Sequence, residues 1–171
     1  PANQNLERYL LVTIRTPKQV PVEEAASTES GRPPLSFTAV LDVSGSMHGA
    51  KIAQAKAAVW RAAQYLHPGD VFSLVTFASD VACPFEPTPV DDNTPEAVDR
   101  ALFQVNAGGS TNLDGGLETG IKQALRRPKE SNLVLLLSDG QANVGETDLE
   151  KIGERALKAR KKGSLVSCLG V

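Results

Sequence analysis

From Leu35 onward the chain alternates short, almost continuously apolar runs with amphipathic stretches of helical period, and that alternation leaves few folds open. Leu35 to Leu41 reads as a strand, and Gly49 to Leu66 as a helix carrying Ile52, Ala55, Val59, Ala62 or Ala63, and Leu66 on one face. Pro68-Gly69-Asp70 ends that helix, and Val71 to Phe77 is the next strand. The turn Ala78-Ser79-Asp80 sends the chain back so soon that Val81 to Phe85 can pair only antiparallel. Pro84, Pro87 and Pro89 place this strand at an edge, since proline cannot donate to a ladder on both sides. Thr94 before Pro95 predicts a capped helix through about Gln104. Asn112 to Arg127 predicts another, with Leu113, Leu117, Ile121 and Ala124 or Leu125 on one stripe. Asn132 to Leu137 suits a strand covered on both faces. Thr147-Asp148-Leu149-Glu150 reads as a capping box for a helix to Lys162, and Leu165 to Val171 as a last strand. The expected fold is α/β and Rossmann-like: a doubly wound, mostly parallel sheet with one antiparallel edge strand and helices on both faces. Such sheets bind ligands at the carboxyl ends of their strands, where the strand order reverses.

Three segments rich in side-chain oxygen fall around that expected end. Asp42-Val43-Ser44-Gly45-Ser46 follows the first apolar run, Gly108-Gly109-Ser110-Thr111-Asn112 precedes a helix, and Ser138-Asp139-Gly140 follows the strand ending at Leu137. In an extended turn the i, i+2, i+4 spacing lets Asp42, Ser44 and Ser46 face one point. Thr111 would add a third hydroxyl and Asp139 a second carboxylate. Short oxygen ligands on tight loops suit Mg²⁺, with Mn²⁺ or Ca²⁺ as alternatives. Only two of the five groups carry charge, so a bound cation would keep waters and accept an outside carboxylate. Met47, His48, Gly109 and Gln141 are candidates for a partner-binding rim, although loop packing is the plainer reading of Met47 and simple solvent exposure that of His48.

These residues resemble the von Willebrand factor A domain family, whose metal-ion-dependent adhesion site (MIDAS) has the pattern Asp-x-Ser-x-Ser, then Thr, then Asp. Asp42, Ser44, Ser46, Thr111 and Asp139 match it in order, and the resemblance runs from about Leu35 to Val171. It implies that the hydroxyls bind the cation directly and that Asp42 and Asp139 act partly through water. Thr111 would bind directly in the ligand-ready state, and an acidic residue of a partner would complete the shell. It also implies a further helix, strand and C-terminal helix that residues 35–171 lack.

Residues 1–34 read as an N-terminal strand, Tyr9 to Arg15, and a flexible linker without periodicity, Thr16 to Pro34. The early strand could complete the sheet or belong to a flanking β-rich domain. With 18 basic and 20 acidic residues the net charge is -2, so no overall field draws the chain to nucleic acid or an anionic membrane. The basic run Lys158, Arg160, Lys161 and Lys162 complements a helix C-terminus. No stretch suits direct insertion into a membrane. Cys83 and Cys168 read as buried free thiols, which leans toward a reducing compartment, with a disulfide as the alternative. Because the chain starts at Pro1 without a methionine, a removed signal peptide and a removed preceding domain both stay open as alternatives, and the compartment with them.

Two functions of different class follow. One is a non-catalytic, divalent-cation-dependent module engaging an acidic residue of a protein partner or of another domain in a longer parent chain. The other is a Mg²⁺-dependent phosphoryl-transfer enzyme with Asp42 as nucleophile. Against the enzyme, Ser44 stands where such phosphatases carry a second Asp, and no lysine is placed near a site loop as a charge clamp. A third reading is an assembly domain with a degenerate metal site, or a homo-oligomer formed through an exposed sheet edge.

Overall fold

The computed structural model describes residues 32–140 and 142–171, so the expected strand Tyr9 to Arg15, most of the linker and Gln141 lie outside the described residues. A five-stranded sheet forms the centre. The strands are β1 (Leu35–Asp42), β2 (Val71–Phe77), β3 (Val81–Pro89), β4 (Ser131–Ser138) and β5 (Ser164–Gly170), in the spatial order β3-β2-β1-β4-β5. β1 pairs in parallel with β2 and β4, β5 is parallel to β4, and β3 is antiparallel to β2 at the edge. The expected mostly parallel α/β sheet with one antiparallel edge strand is therefore the observed architecture. The order reverses at β1, between its neighbours β2 and β4.

Helices α1 (Ala50–Gln64) and α2 (Thr94–Phe103) cover one face, and α3 (Leu113–Ala124) and α4 (Leu149–Lys161) the other. Strand alternation divides the core accordingly. Phe37, Ala39 and Leu41 of β1 pack with Ala55, Val59 and Ala63 of α1 and with Val98 and Leu102 of α2. Val40, Val75 and Val134 pack with Leu113, Leu117 and Ala124 of α3 and with Ile152 of α4. Every residue of β2 is buried, as is all of β1 except Leu35, which explains their nearly continuous apolar sequence. Three of the polar exceptions are paired: Thr38 Oγ1 and Ser73 Oγ lie 2.8 Å apart, and Ser36 Oγ donates to the Ala124 carbonyl at 3.1 Å. α3 lies so close to β1 that a Cβ on Gly120 would stand 2.3 Å from Val40 Cγ2.

Several local expectations need correction. β3 continues past Phe85 to Pro89, with register shifts against β2, because an edge strand tolerates prolines on its unpaired side. Thr94 does not cap α2. Its hydroxyl accepts from Asp91 N–H and donates to Asp91 Oδ1, and Asn93 holds the cap position. At α4 the cap is Asp148, whose carboxylate accepts from Glu150 N–H at 2.9 Å, while Glu146 takes the N–H groups of Thr147 and Asp148. Cys83 is half-buried on β3, but Cys168 is exposed on β5, contrary to the buried reading. The two strands are opposite edges of the sheet, about 19 Å apart at the usual strand spacing. A disulfide requires Cα atoms within about 7 Å, so these two thiols do not pair. Burial, with the nearby Glu86 charge, pushes the Cys83 thiol up to about 11.

Candidate metal centre

β1 ends in Asp42, which is fully buried. Ser44 N–H donates to its Oδ1 at 2.8 Å, and Ser138 Oγ, at the end of β4, donates to its Oδ2 at 2.5 Å. The carboxylate is thereby fixed at the junction of the two adjacent parallel strands. After Ser44 the chain makes a 3-10 turn over Gly45–Met47, closed by Met47 N–H donating to the Ser44 carbonyl at 3.0 Å. Met47 points inward with no exposed surface and joins the α1 side of the core. Its candidacy for the rim is therefore withdrawn. The same turn leaves Ser46 and His48 exposed.

Ser46 Oγ donates to Asp139 Oδ1 at 2.8 Å and lies 3.1 Å from Ser44 Oγ. Because its single proton is committed to Asp139, Ser46 Oγ accepts from Ser44. Asp42, Ser44, Ser46 and Asp139 thus form one connected group across the ends of β1 and β4.

The segment carrying Thr111 joins α2 to α3, so it is not itself a strand end. Backbone bonds suspend it there: Gly45 N–H donates to the Gly109 carbonyl at 3.0 Å, Gly108 N–H to Val43 at 2.8 Å, and Asn112 N–H to Ala78 at 2.8 Å. Gly109 has a φ of 79°, and a Cβ there would lie 2.8 Å from Ser79 Oγ, so this close approach needs glycine. Gly109 is exposed. Thr111 is buried, and the loop after β4 clamps its backbone on both sides. Thr111 N–H donates to Asn143 Oδ1 at 2.7 Å, and Asn143 and Val144 N–H donate to the Thr111 carbonyl at 3.1 and 3.3 Å. Among the described residues the Thr111 hydroxyl makes no hydrogen bond to the other four candidates.

The Asp139 side chain is 2% exposed and forms an ion pair with Lys51 in the first turn of α1. The Lys51 ammonium, aided by the Ser46 hydroxyl against the opposing effect of burial, holds the Asp139 carboxyl below the usual carboxylate range. This corrects the expectation that no lysine stands near a site loop. Sequence reasoning placed Ser138 in an oxygen-rich segment without a role of its own and passed over Asn143, because the roles of both depend on contacts across loops. Lys51 did leave a signal, because a cation in the first turn of a helix opposes the helix dipole.

The donor set is two carboxylates and three hydroxyls, all hard oxygen ligands, and such a set fits a hard divalent cation. Ligand oxygens around a near-octahedral ion at about 2.1 Å stand about 3 Å from one another. The spacings of 3.1 Å and 2.8 Å along Ser44, Ser46 and Asp139 match that edge length.

Comparisons with known proteins identify the family of the domain. A family model described as von Willebrand factor type A domain matches residues 37–141. Inter-alpha-trypsin inhibitor heavy chain H3 of Bos taurus is 30% identical over 173 residues, covering 93% of this chain and 18% of its own length. Heavy chain H1 of Sus scrofa is 37% identical over 122 residues, covering 66% and 13%. The chain thus spans less than a fifth of the length of these curated relatives. Among solved structures, a von Willebrand factor type A protein from Catenulispora acidiphila superposes with a TM-score of 0.68 at 22% identity, over 80% of this chain and 33% of that one. The pilus adhesin SpaC from Lactobacillus rhamnosus GG, in its open conformation, gives 0.68 at 16% identity, over 80% and 24%. The family model alone accounts for more than half of the residues: the chain belongs to the von Willebrand factor type A domain family.

Proposed function

We propose that residues 35–171 form a non-catalytic binding module in which a divalent cation, Mg²⁺ in the first instance, links the domain to an acidic side chain of a protein partner or of another domain in a longer parent chain. Asp42, Ser44, Ser46, Thr111 and Asp139 would hold the ion, which when bound supplies a positive centre for the incoming carboxylate. The observation that carries this reading is the run of oxygens Ser44, Ser46 and Asp139 at octahedral-edge spacing above the buried Asp42. That one structural neighbour is a pilus adhesin supports an interaction role. His48 and Gly109, exposed beside the site, are the proposed rim. Gln141 retains that assignment from its sequence position alone.

Asp42 also counts against the phosphoryl-transfer alternative. Its two oxygens are engaged by Ser44 N–H and Ser138 Oγ, and it has no exposed surface from which to attack a substrate.

Calorimetric titration with Mg²⁺, beside Asp42→Ala and with thermal melts in metal and in chelator, tests the proposal. Wild type should bind saturably and melt higher in Mg²⁺, and the variant should do neither. Equal behaviour of the two chains would refute it.

A further inference from the structure

Lys51 is placed against the local preference of its helix. It sits in the first turn of α1, where no acidic residue accompanies it and the helix dipole disfavours a cation. Its ammonium nevertheless reaches across to the nearly covered Asp139 carboxylate, while the side chain as a whole remains 46% exposed. Asp139 offers Oδ1 to Ser46 and Oδ2 to Lys51, so the ammonium supplies positive charge where the candidate oxygens converge.

Building on the proposed cation site, we infer that Lys51 is an internal counter-ion that competes with the divalent cation for Asp139 and so sets the affinity of the site. Without a cation, Lys51 compensates a carboxylate that would otherwise be covered and unpaired. When a cation enters, two positive centres share one carboxylate, and the long, half-exposed lysine chain can swing into solvent. The pair thereby lowers affinity for the ion. A lysine at this place makes occupancy depend on the surrounding divalent concentration instead of being permanent.

The test is Mg²⁺ calorimetry on wild type, Lys51→Met, Lys51→Arg and Asp42→Ala, with paired melts in chelator and in saturating Mg²⁺. Lys51→Met should bind on the order of tenfold more tightly, because no ammonium then competes with the ion for Asp139. It should also melt lower than wild type in chelator, so that its metal-induced melting shift widens. Lys51→Arg, which keeps the charge, should stay within about threefold of wild type, a factor small beside the tenfold change. If wild type binds, Asp42→Ala does not, and Lys51→Met binds equally or more weakly, the counter-ion inference is overturned while the binding-module reading stands. If no variant binds Mg²⁺, both are overturned.

Discussion

Asp70 is almost fully covered, yet its carboxylate meets the Arg32 guanidinium through both oxygens and accepts the N–H groups of Leu35 and His67, each at 2.8 Å. Burial alone would raise its pKa, but Arg32 and the two backbone donors outweigh burial and hold the group below the usual carboxylate range. The folded pKa is thus lower than the unfolded one. The stabilisation is complete above the unfolded value of about 4 and is lost as pH falls through the folded value. Asp70→Asn should cost on the order of 3 kcal/mol at pH 7, and its gap from wild type should narrow below about pH 4. Urea unfolding at pH 7 and pH 3 measures both, and a gap independent of pH would contradict the assignment. At the candidate site, single residues were legible where chemistry and spacing agreed: Asp42, Ser44, Ser46 and Asp139 do come together. The contacts of Lys51, Ser138 and Asn143 span 88, 96 and 32 positions, and although Lys51 opposes its helix dipole and Ser138 lies in an oxygen-rich segment, local pattern does not name partners at such distances. Met47 was misplaced because a short 3-10 turn, invisible to helical periodicity, rotates it into the core.

The strands and helices were recognisable because burial on both faces leaves long apolar runs and burial on one face leaves a stripe. Their ends were less so, since several oxygen-bearing residues compete for the same N–H groups. The Thr147 to Glu150 pattern illustrates this: the hydroxyl residue fits a capping box, but the next carboxylate captures the helix terminus. Asp148→Ala should lower stability by about 1 kcal/mol, whereas Thr147→Ala should change it by no more than about 0.5 kcal/mol. Chemical denaturation of both variants separates them, and the reverse ranking would restore Thr147 as the cap. The helix-to-helix segment carrying Thr111 could not be located from its neighbours in sequence. Its bonds to Val43, Gly45, Ala78, Asn143 and Val144, all remote in sequence, bring it to the ends of the strands.

For the whole molecule, alternation of strand and helix was enough to give the sheet class, because parallel pairing demands crossovers and crossovers bury the central strands. What alternation does not reveal is how the outer strand is finished. Among the described residues β5 is an edge, with Leu165 57% and Leu169 49% exposed. An apolar edge is a template for pairing with another strand. The chain on its own is therefore expected to sediment faster as concentration rises, and Leu165→Lys should suppress that trend with or without chelator. Sedimentation velocity that is independent of concentration in wild type would exclude it. The parallel pairing has a mechanical consequence as well. β1 enters at the end of the sheet opposite Asp42, and β5 leaves at the Asp42 end, next to Ser138. A pull between Arg32 and Val171 would draw these strands lengthwise, so that the seven residue pairs on each side of β1 must shear together instead of opening one by one. Resistance to tension of that kind is governed by the barrier to unfolding, and the strand that bears it is the same one that ends in Asp42.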